Sequence, residues 1–159
     1  MSKLVPTGKW YFAFAEDENW DCSEGYDTPE AALSDAREAA PEEAAELFDD
    51  LSDQQNFLNG NVYIGQGYKF VPEVDPDFVI ERIQEDAYDQ CIEFSIGYLE
   101  GPPLNSEPGV RKKWNDQVEE LGKRLTEVFT KWAEETNNKP WFTMIDDISE
   151  HPLKETDNA

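Results

Sequence analysis

A cluster of acidic side chains near the N-terminus is the first part of the sequence that could do chemistry. The segment AEDENWDCSEGYDTPEAAL, residues 15–33, holds seven carboxylates around a tryptophan, a cysteine and a tyrosine. Asp17, Asn19 and Asp21 stand at the first, third and fifth positions of an EF-hand-like calcium loop. The remaining positions do not match a calcium loop, because cysteine replaces the glycine of the sixth position and threonine replaces the glutamate of the twelfth. We therefore expect no specific metal site.

Covalent catalysis finds little support in the remaining reactive residues. Cys22 lies among carboxylates, which oppose formation of the thiolate. Cys91 falls on an apolar helical stripe, where we expect a small buried hydrophobic residue. His151, the one histidine of the chain, lies in the predicted tail between Glu150 and Pro152, which argues against a histidine-dependent triad or a multi-histidine metal site. We expect no enzyme, no catalytic residue and no cofactor.

The balance of charge is the strongest feature of the sequence. Its 13 basic and 36 acidic side chains give a formal net charge of −23. The excess is concentrated in residues 16–53, which hold 15 acidic side chains and only Arg37 as a base. Such a surface repels nucleic acid and anionic lipid and attracts basic proteins. The partner we expect is thus a basic protein, such as a nucleic-acid-binding or defence protein, and not nucleic acid or a membrane.

The candidate partner-binding residues come from this acidic segment and from two aromatic residues inside it. Aromatic side chains in a polar loop can anchor an interface, but they can also fold back over the edge of a sheet as a lid. Both interpretations stay open for the tryptophan and the tyrosine. The candidates are Glu16, Asp17, Glu18, Trp20, Asp21, Glu24, Tyr26, Asp27, Asp35, Glu38, Glu42, Glu43, Glu46, Asp49 and Asp50.

The compartment follows from what the sequence lacks. The N-terminus MSKLVPTGKWYF has no long apolar region of a signal peptide, and no run approaches the roughly 18 apolar residues of a membrane helix. Two cysteines without a secretion signal are typical of reduced thiols. We expect a cytoplasmic protein, with the oligomeric state left open.

Three segments have the alternating pattern of strands. KWYFAFA, from Lys9, places Trp10, Phe12 and Phe14 on one face, and VYIGQGYKFV follows from Val62. The two glycines of the second segment, Gly65 and Gly67, lack the context of a phosphate loop, and we expect them to admit a neighbouring backbone or an aromatic ring. The third strand is predicted over residues 141–148.

Four helices are predicted between these strands. Thr28 and Pro29 start a helix over about 29–39, and Pro41 restarts a second acidic helix to about Leu51, with Ala44, Leu47, Phe48 and Leu51 inward. Two long amphipathic helices follow over about 75–99 and 109–136. The predicted core stripe of the first long helix is Ile80, Ile83, Ala87, Cys91, Phe94 and Tyr98. Most basic side chains of the second can pair with acids one turn away.

The order of elements predicts the α+β class: a small antiparallel three-stranded sheet packed on a long antiparallel helical hairpin, with two short acidic helices after the first strand. We expect one domain over residues 1–148, in which 16–53 could be an appendage, and a flexible tail over 149–159.

Two segments, VYIGQGYKFVPEVDPDFVIERIQEDAYDQC and LTEVFTKWAEETNNKPWFTMIDDI, resemble small acidic proteins, mostly of unknown function, that are common among tailed bacteriophages and their hosts. The markers are the Tyr63-Ile64-Gly65 strand, the Ile80-Glu81-Arg82-Ile83 helix and the helix end at Trp132. The resemblance covers most of residues 10–148 and carries no catalytic signature. It implies a phage-like context, hence the host cytoplasm, in which acidic inhibitors of host defence recur.

The charge suggests imitation of DNA. Duplex DNA carries one charge per roughly 1.7 Å, so 23 charges match about 39 Å of duplex. Carboxylates one helical turn apart, such as Glu42 and Glu46, are about 5 Å apart along the axis, near the spacing of successive phosphates. We therefore predict a DNA-mimic inhibitor of a host nucleic-acid-binding or defence protein. The alternatives are an interaction module for a basic partner without mimicry, and a solvated acidic domain with no charge-driven partner.

Overall fold

The chain is an α+β protein, as the sequence predicted. The computed structural model describes residues 1–16, 20–21 and 24–155. Its elements are β1 (Lys3–Ala13), α1 (Pro29–Leu47), α2 (Leu51–Leu58), β2 (Asn61–Val71), α3 (Pro76–Cys91), a 3-10 turn (Ile92–Ser95), α4 (Pro108–Glu135) and β3 (Thr143–Pro152).

Contacts between residues divide the chain into two compact units. The first, which we call the sheet unit, comprises residues 4–70 and 141–159 and contains almost all of the three strands together with α1 and α2. The second, which we call the hairpin unit, comprises residues 1–3 and 71–140 and contains α3 and α4. The acidic segment 16–53 belongs to the sheet unit.

The sheet is antiparallel, in the order β1-β2-β3. Strand β2 pairs with β3 from Asn61 opposite Pro152 to Lys69 opposite Thr143, with a bulge between Ile64 and Gln66. The sheet thus continues past residue 148, where we predicted the tail to begin. The backbone N–H of Leu153 also donates to the carbonyl of Gly60 at 3.0 Å, and its side chain is buried. Residues 149–153 are therefore structural, and the predicted tail boundary was wrong.

The fully buried residues of α1 are all alanines. Ala32, Ala36, Ala40 and Ala44, spaced by four residues, are fully buried. The steps of four place these small side chains on one side of the helix, which can therefore approach its neighbours closely. Two of them join Val62 and Leu153 in the core cluster, and Phe12, Phe14, Leu33, Phe57 and Leu58 pack around it.

The boundaries of the two acidic helices differ from the prediction. Helix α1 runs through Pro41, which is exposed and removes one backbone hydrogen bond, while buried alanines before and after it anchor both halves of the helix in the core. The predicted inward residues Leu47 and Leu51 are 54% and 79% exposed. Asp50 instead caps a new helix, α2, which begins at Leu51, where the second predicted helix was expected to end.

The hairpin unit joins α3 and α4 in antiparallel fashion. Near the start of α3, the Val74 N–H donates to Thr126 Oγ1 at 2.9 Å, whereas Gly101, beyond its end, lies against Trp114. The limits of α4 match the prediction to within one residue. In α3 the predicted buried stripe was wrong: none of its residues is buried, and Phe94 beyond it is 96% exposed. The last residue of α3 is Cys91, and the positive φ of 48° at Ile92 ends the helix. The predicted helix, which ran to residue 99, was therefore too long.

No helix among the described residues is both long enough and apolar enough to cross a lipid bilayer.

Candidate partner-binding surface

Four carboxylates line the solvent side of α1. Asp35, Glu38, Glu42 and Glu46, which we call the acidic row, are separated by three or four residues, and all are exposed. At about 100° per residue they fall within one sector opposite the buried alanines. The row spans 12 residues, or about 16 Å of helix axis, with a carboxylate roughly every 5 Å. The alanine stripe therefore orients the acidic row outward.

The start of α1 fixes where this row begins. Thr28 is the N-cap, as predicted, and its Oγ1 accepts a hydrogen bond from the Ala31 N–H at 3.1 Å. Pro29 occupies the first helical position, where its missing N–H costs nothing. These residues set the helix phase from its first turn.

Several carboxylates of the sheet unit take neutral hydrogen-bond donors as partners. The Tyr26 hydroxyl donates to Asp35 and the Tyr68 hydroxyl donates to Asp147. The hydrogen bond to Asp35, together with burial and the charges of Asp35 and Glu24, raises the pKa of Tyr26 from 10.0 to about 12. The pKa of Tyr68 is also raised, mainly by its hydrogen bond to Asp147. Neutral donors orient these carboxylates without cancelling their charge.

Two basic side chains of the sheet unit form ion pairs. Lys9 pairs with Asp27, which holds the pKa of that carboxyl below its ordinary value. The Arg37 guanidinium donates to the carbonyl of Pro152 at 3.0 and 3.3 Å and lies 3.6 Å from Glu155. Arg37 is the only base in residues 16–53, and it is bound to the end of β3. It therefore does not neutralise the acidic row: among the described residues, Glu38, Glu42 and Glu46 have no basic partner.

The remaining acidic candidates precede α1 in the sequence, lie within it or follow it. Glu16, Asp21, Glu24 and Asp49 are exposed, and Glu43 is half-buried. Asp50 is engaged structurally, because its carboxylate accepts from the Ser52 N–H at 2.9 Å as the cap of α2. Asp17 and Glu18 lie outside the described residues, as do Asn19 and Cys22 of the calcium-like loop.

Both candidate aromatic residues are half-buried against the sheet unit. Tyr26 exchanges two backbone hydrogen bonds of 2.8 Å with Trp10. This pair forms an isolated antiparallel bridge beside β1. Trp20 covers Gly65: a Cβ on that glycine would lie 3.4 Å from Cη2 of the indole. This placement agrees with the lid interpretation. It also confirms the role expected for the glycines, since the Tyr11 ring similarly covers Gly67.

Sequence reasoning missed three further carboxylates of the sheet unit. Asp146, Asp147 and Glu150 lie on β3 and are exposed. The pair of adjacent aspartates was visible in the sequence, but it fell inside a predicted strand and was counted as part of that element. A third strand with charged residues at an outer position of the sheet is a signal that could have identified them.

The residues that could bind a metal or react as nucleophiles are dispersed in the described part of the chain. The described residues contain no group of three histidine, cysteine or acidic side chains that could hold a metal ion. His151 Nε2 lies 2.8 Å from Ser149 Oγ on exposed β3. Cys91 is exposed, so its predicted burial was wrong: the packing of α3 against α4 and the 3-10 turn leaves the end of α3 uncovered.

Comparison with known proteins adds no identification. The chain matches no protein-family model, no curated protein and no solved structure.

Proposed function

We propose that the protein is an acidic binding protein that occupies the nucleic-acid-binding surface of a basic protein and thereby inhibits it. The observation that carries this proposal is the acidic row of α1, an exposed line of four carboxylates without basic partners among the described residues. A basic groove that attracts the phosphates of DNA attracts such a row by the same Coulomb interaction.

The distribution of charge supports this assignment. The sheet unit holds 20 acidic and four basic side chains, a formal net charge of −16. Maintaining that excess costs stability through self-repulsion, and its concentration around α1 gives one surface a strongly negative potential. Because Trp20 and Tyr26 are half-buried against their own unit, charge is a better candidate than aromatic anchors for the main attraction.

The class of target follows from the resemblance to acidic proteins of tailed phages. In that setting a host nucleic-acid-binding or defence protein is the basic protein whose inhibition benefits a phage. The class of target therefore rests on analogy with those phage proteins, whereas the attraction of a basic groove to the acidic row rests on charge alone.

The test uses the immobilised chain to capture partners from a bacterial host lysate at low salt, followed by elution with a DNA duplex. We expect a basic nucleic-acid-binding protein that is released by duplex and by high salt, because both weaken a charge-driven contact. The variant E38Q/E42Q/E46Q should bind that protein on the order of tenfold more weakly. The control E119Q/E120Q/E135Q removes the same number of carboxylates from α4 and should leave binding almost unchanged.

Three results would contradict the proposal in different ways. A partner that survives high salt and ignores duplex would indicate an interaction module without mimicry. Equal losses in the two triple variants would show that net charge alone, and not the acidic row, is recognised. A protein that captures nothing and becomes steeply more stable with added salt would be a solvated acidic domain.

A further inference from the structure

The hairpin unit has a groove of about 470 Å³ that its own core does not fill. Its walls include Ile83, Ala87, Gln90, Cys91, Phe94 and Tyr98. Three of these side chains expose large apolar surface: Ile83 is 44%, Tyr98 51% and Phe94 96% exposed. Soluble monomers rarely leave such a contiguous apolar patch uncovered, so the groove is a candidate interface.

The groove is nearly neutral on a chain whose net charge is −23. Its one charged wall residue, Asp86, is paired with Arg82 at 3.1 Å. The Ser95 hydroxyl is also satisfied, because it donates to the Ile92 carbonyl at 2.8 Å. The exposed carboxylates Glu81, Glu85 and Asp89 lie about 140–180° around α3 from the midline between Ile83 and Ala87 of the groove wall, at about 100° per residue. The groove is therefore a surface that two acidic chains can bring together without facing unpaired like charges.

We propose that the occupant of this groove is the same groove of a second copy of the chain, in a two-fold symmetric dimer. A two-fold interface must be self-complementary, and a neutral apolar groove beside a protruding phenylalanine meets that condition. A basic partner is less well matched, because the one carboxylate that lines the groove, Asp86, is already paired with Arg82.

The available area predicts a weak dimer. An aromatic side chain exposes about 150–250 Å² when free, so Phe94 and Tyr98 together offer about 300 Å² per chain. With Ile83 and the groove walls, two chains would bury on the order of 1,000 Å², the lower end of specific interfaces. Dimerisation should therefore depend on protein concentration. It should strengthen with salt, since screening reduces the repulsion between the two acidic chains.

The experiment is sedimentation velocity of the full chain across micromolar to millimolar concentrations, at low and high salt. We expect a monomer–dimer equilibrium whose dissociation constant falls with salt. Phe94→Ser should raise that constant about tenfold or more, because the side chain would be central to the interface. Phe78→Ser is the matched control: Phe78 lies on α3, is 70% exposed and is not part of the groove, so we expect a change of less than about twofold.

Thiol reactivity provides a second measurement. In a Cys22→Ser background, Cys91 in the groove should react more slowly with a thiol reagent as the protein concentration rises, and Phe94→Ser should abolish that dependence. A monomer at every concentration, or a dimer that Phe94→Ser leaves intact, would overturn the proposal. The proposed function is separable from this inference, because partner capture should weaken with salt whereas the dimer should strengthen.

Discussion

The sheet unit holds 20 acidic and four basic side chains, whereas the hairpin unit holds 16 and nine. In the hairpin unit, seven of the nine bases form ion pairs, and those within α4 follow the (i, i+4) spacing that the sequence predicted. In the sheet unit, tyrosine hydroxyls serve Asp35 and Asp147 instead. The hairpin unit thus pairs eight of its 16 carboxylates with positive charges, whereas the ion pairs among the described residues of the sheet unit involve Asp27 and Glu155.

Apolar surface is distributed in the opposite way. The sheet unit has a buried cluster in which Val62 and Ile64 are fully inaccessible. The hairpin unit buries only Gly122 and Ala133 in its long helices, while many of its large apolar side chains are exposed. The comparison distinguishes two surfaces: a charged one on α1 and an apolar one on α3.

The largest expected effect tests where the stable core lies. Ile64→Ala should lower the free energy of unfolding by about 2–5 kcal/mol, because removal of a fully buried side chain leaves a cavity in the core. Ile83→Ala, at a 44% exposed position of α3, should cost about 1 kcal/mol or less. Guanidinium denaturation followed by circular dichroism measures both values. Equal losses would mean that the two units do not differ in packing.

A pair of glycines gives the next contrast. A Cβ on Gly67 would lie 2.6 Å from Cε2 of Tyr11 and 2.9 Å from Oγ1 of Thr7, so Gly67→Ala should destabilise by about 1–3 kcal/mol. Gly109 lies at the start of α4 with no atom within 4 Å of the added Cβ. Gly109→Ala should therefore be neutral or stabilise by up to about 1 kcal/mol. The same denaturation assay applies, and a tolerated Gly67→Ala would argue against a tightly covered sheet face.

The outcome of sequence reasoning differed between the two units. The fold class was predictable from the sequence. The limits of α4 were also predictable, because the apolar residues of this helix recur at steps of three and four over 28 residues. Pro41 misled the division of α1: an interior proline removes one backbone hydrogen bond and strains the helix, but the buried alanines before and after it keep α1 continuous. The stripe of α3 was correctly periodic but not buried, because periodicity identifies an apolar face and not what covers it.

The candidate surface was predictable in composition and not in arrangement. The acidic residues of α1 were all visible in the sequence, and their exposure agrees with a charged face. The role of Tyr26 was not visible, because its hydrogen bond to Asp35 depends on the bridge with Trp10, a contact across 16 residues of chain. The same holds for Trp20, whose position over Gly65 depends on the tertiary fold.

The tyrosine that serves Asp35 gives a pH-dependent prediction. Because the pKa of Tyr26 is raised from 10.0 to about 12, its hydrogen bond contributes fully below pH 10 and is lost as the pH rises through 12. Tyr26→Phe should lower stability by about 0.5–1.5 kcal/mol near neutral pH, and this difference should shrink above pH 10. Ultraviolet titration of tyrosinate should lose a step near pH 12 in the variant. Loss of a step near pH 10 instead would show that the hydrogen bond to Asp35 does not form in solution.

The smallest expected effects on stability come from removing carboxylates of the acidic row on α1 and ion-paired carboxylates on α4. E38Q/E42Q/E46Q removes two like-charge (i, i+4) pairs from α1, so it should stabilise the chain by about 0.2–0.5 kcal/mol per pair at low salt. E119Q/E120Q/E135Q removes the α4 partners of Lys123, Arg124 and Lys131, so it should destabilise by a similar amount per pair. Both differences should disappear at high salt, because screening weakens exposed charge pairs. Thermal denaturation at two salt concentrations measures them. Opposite signs in variants with identical chemistry would show that the acidic row repels itself, and the same sign in both would remove the distinction between the two units.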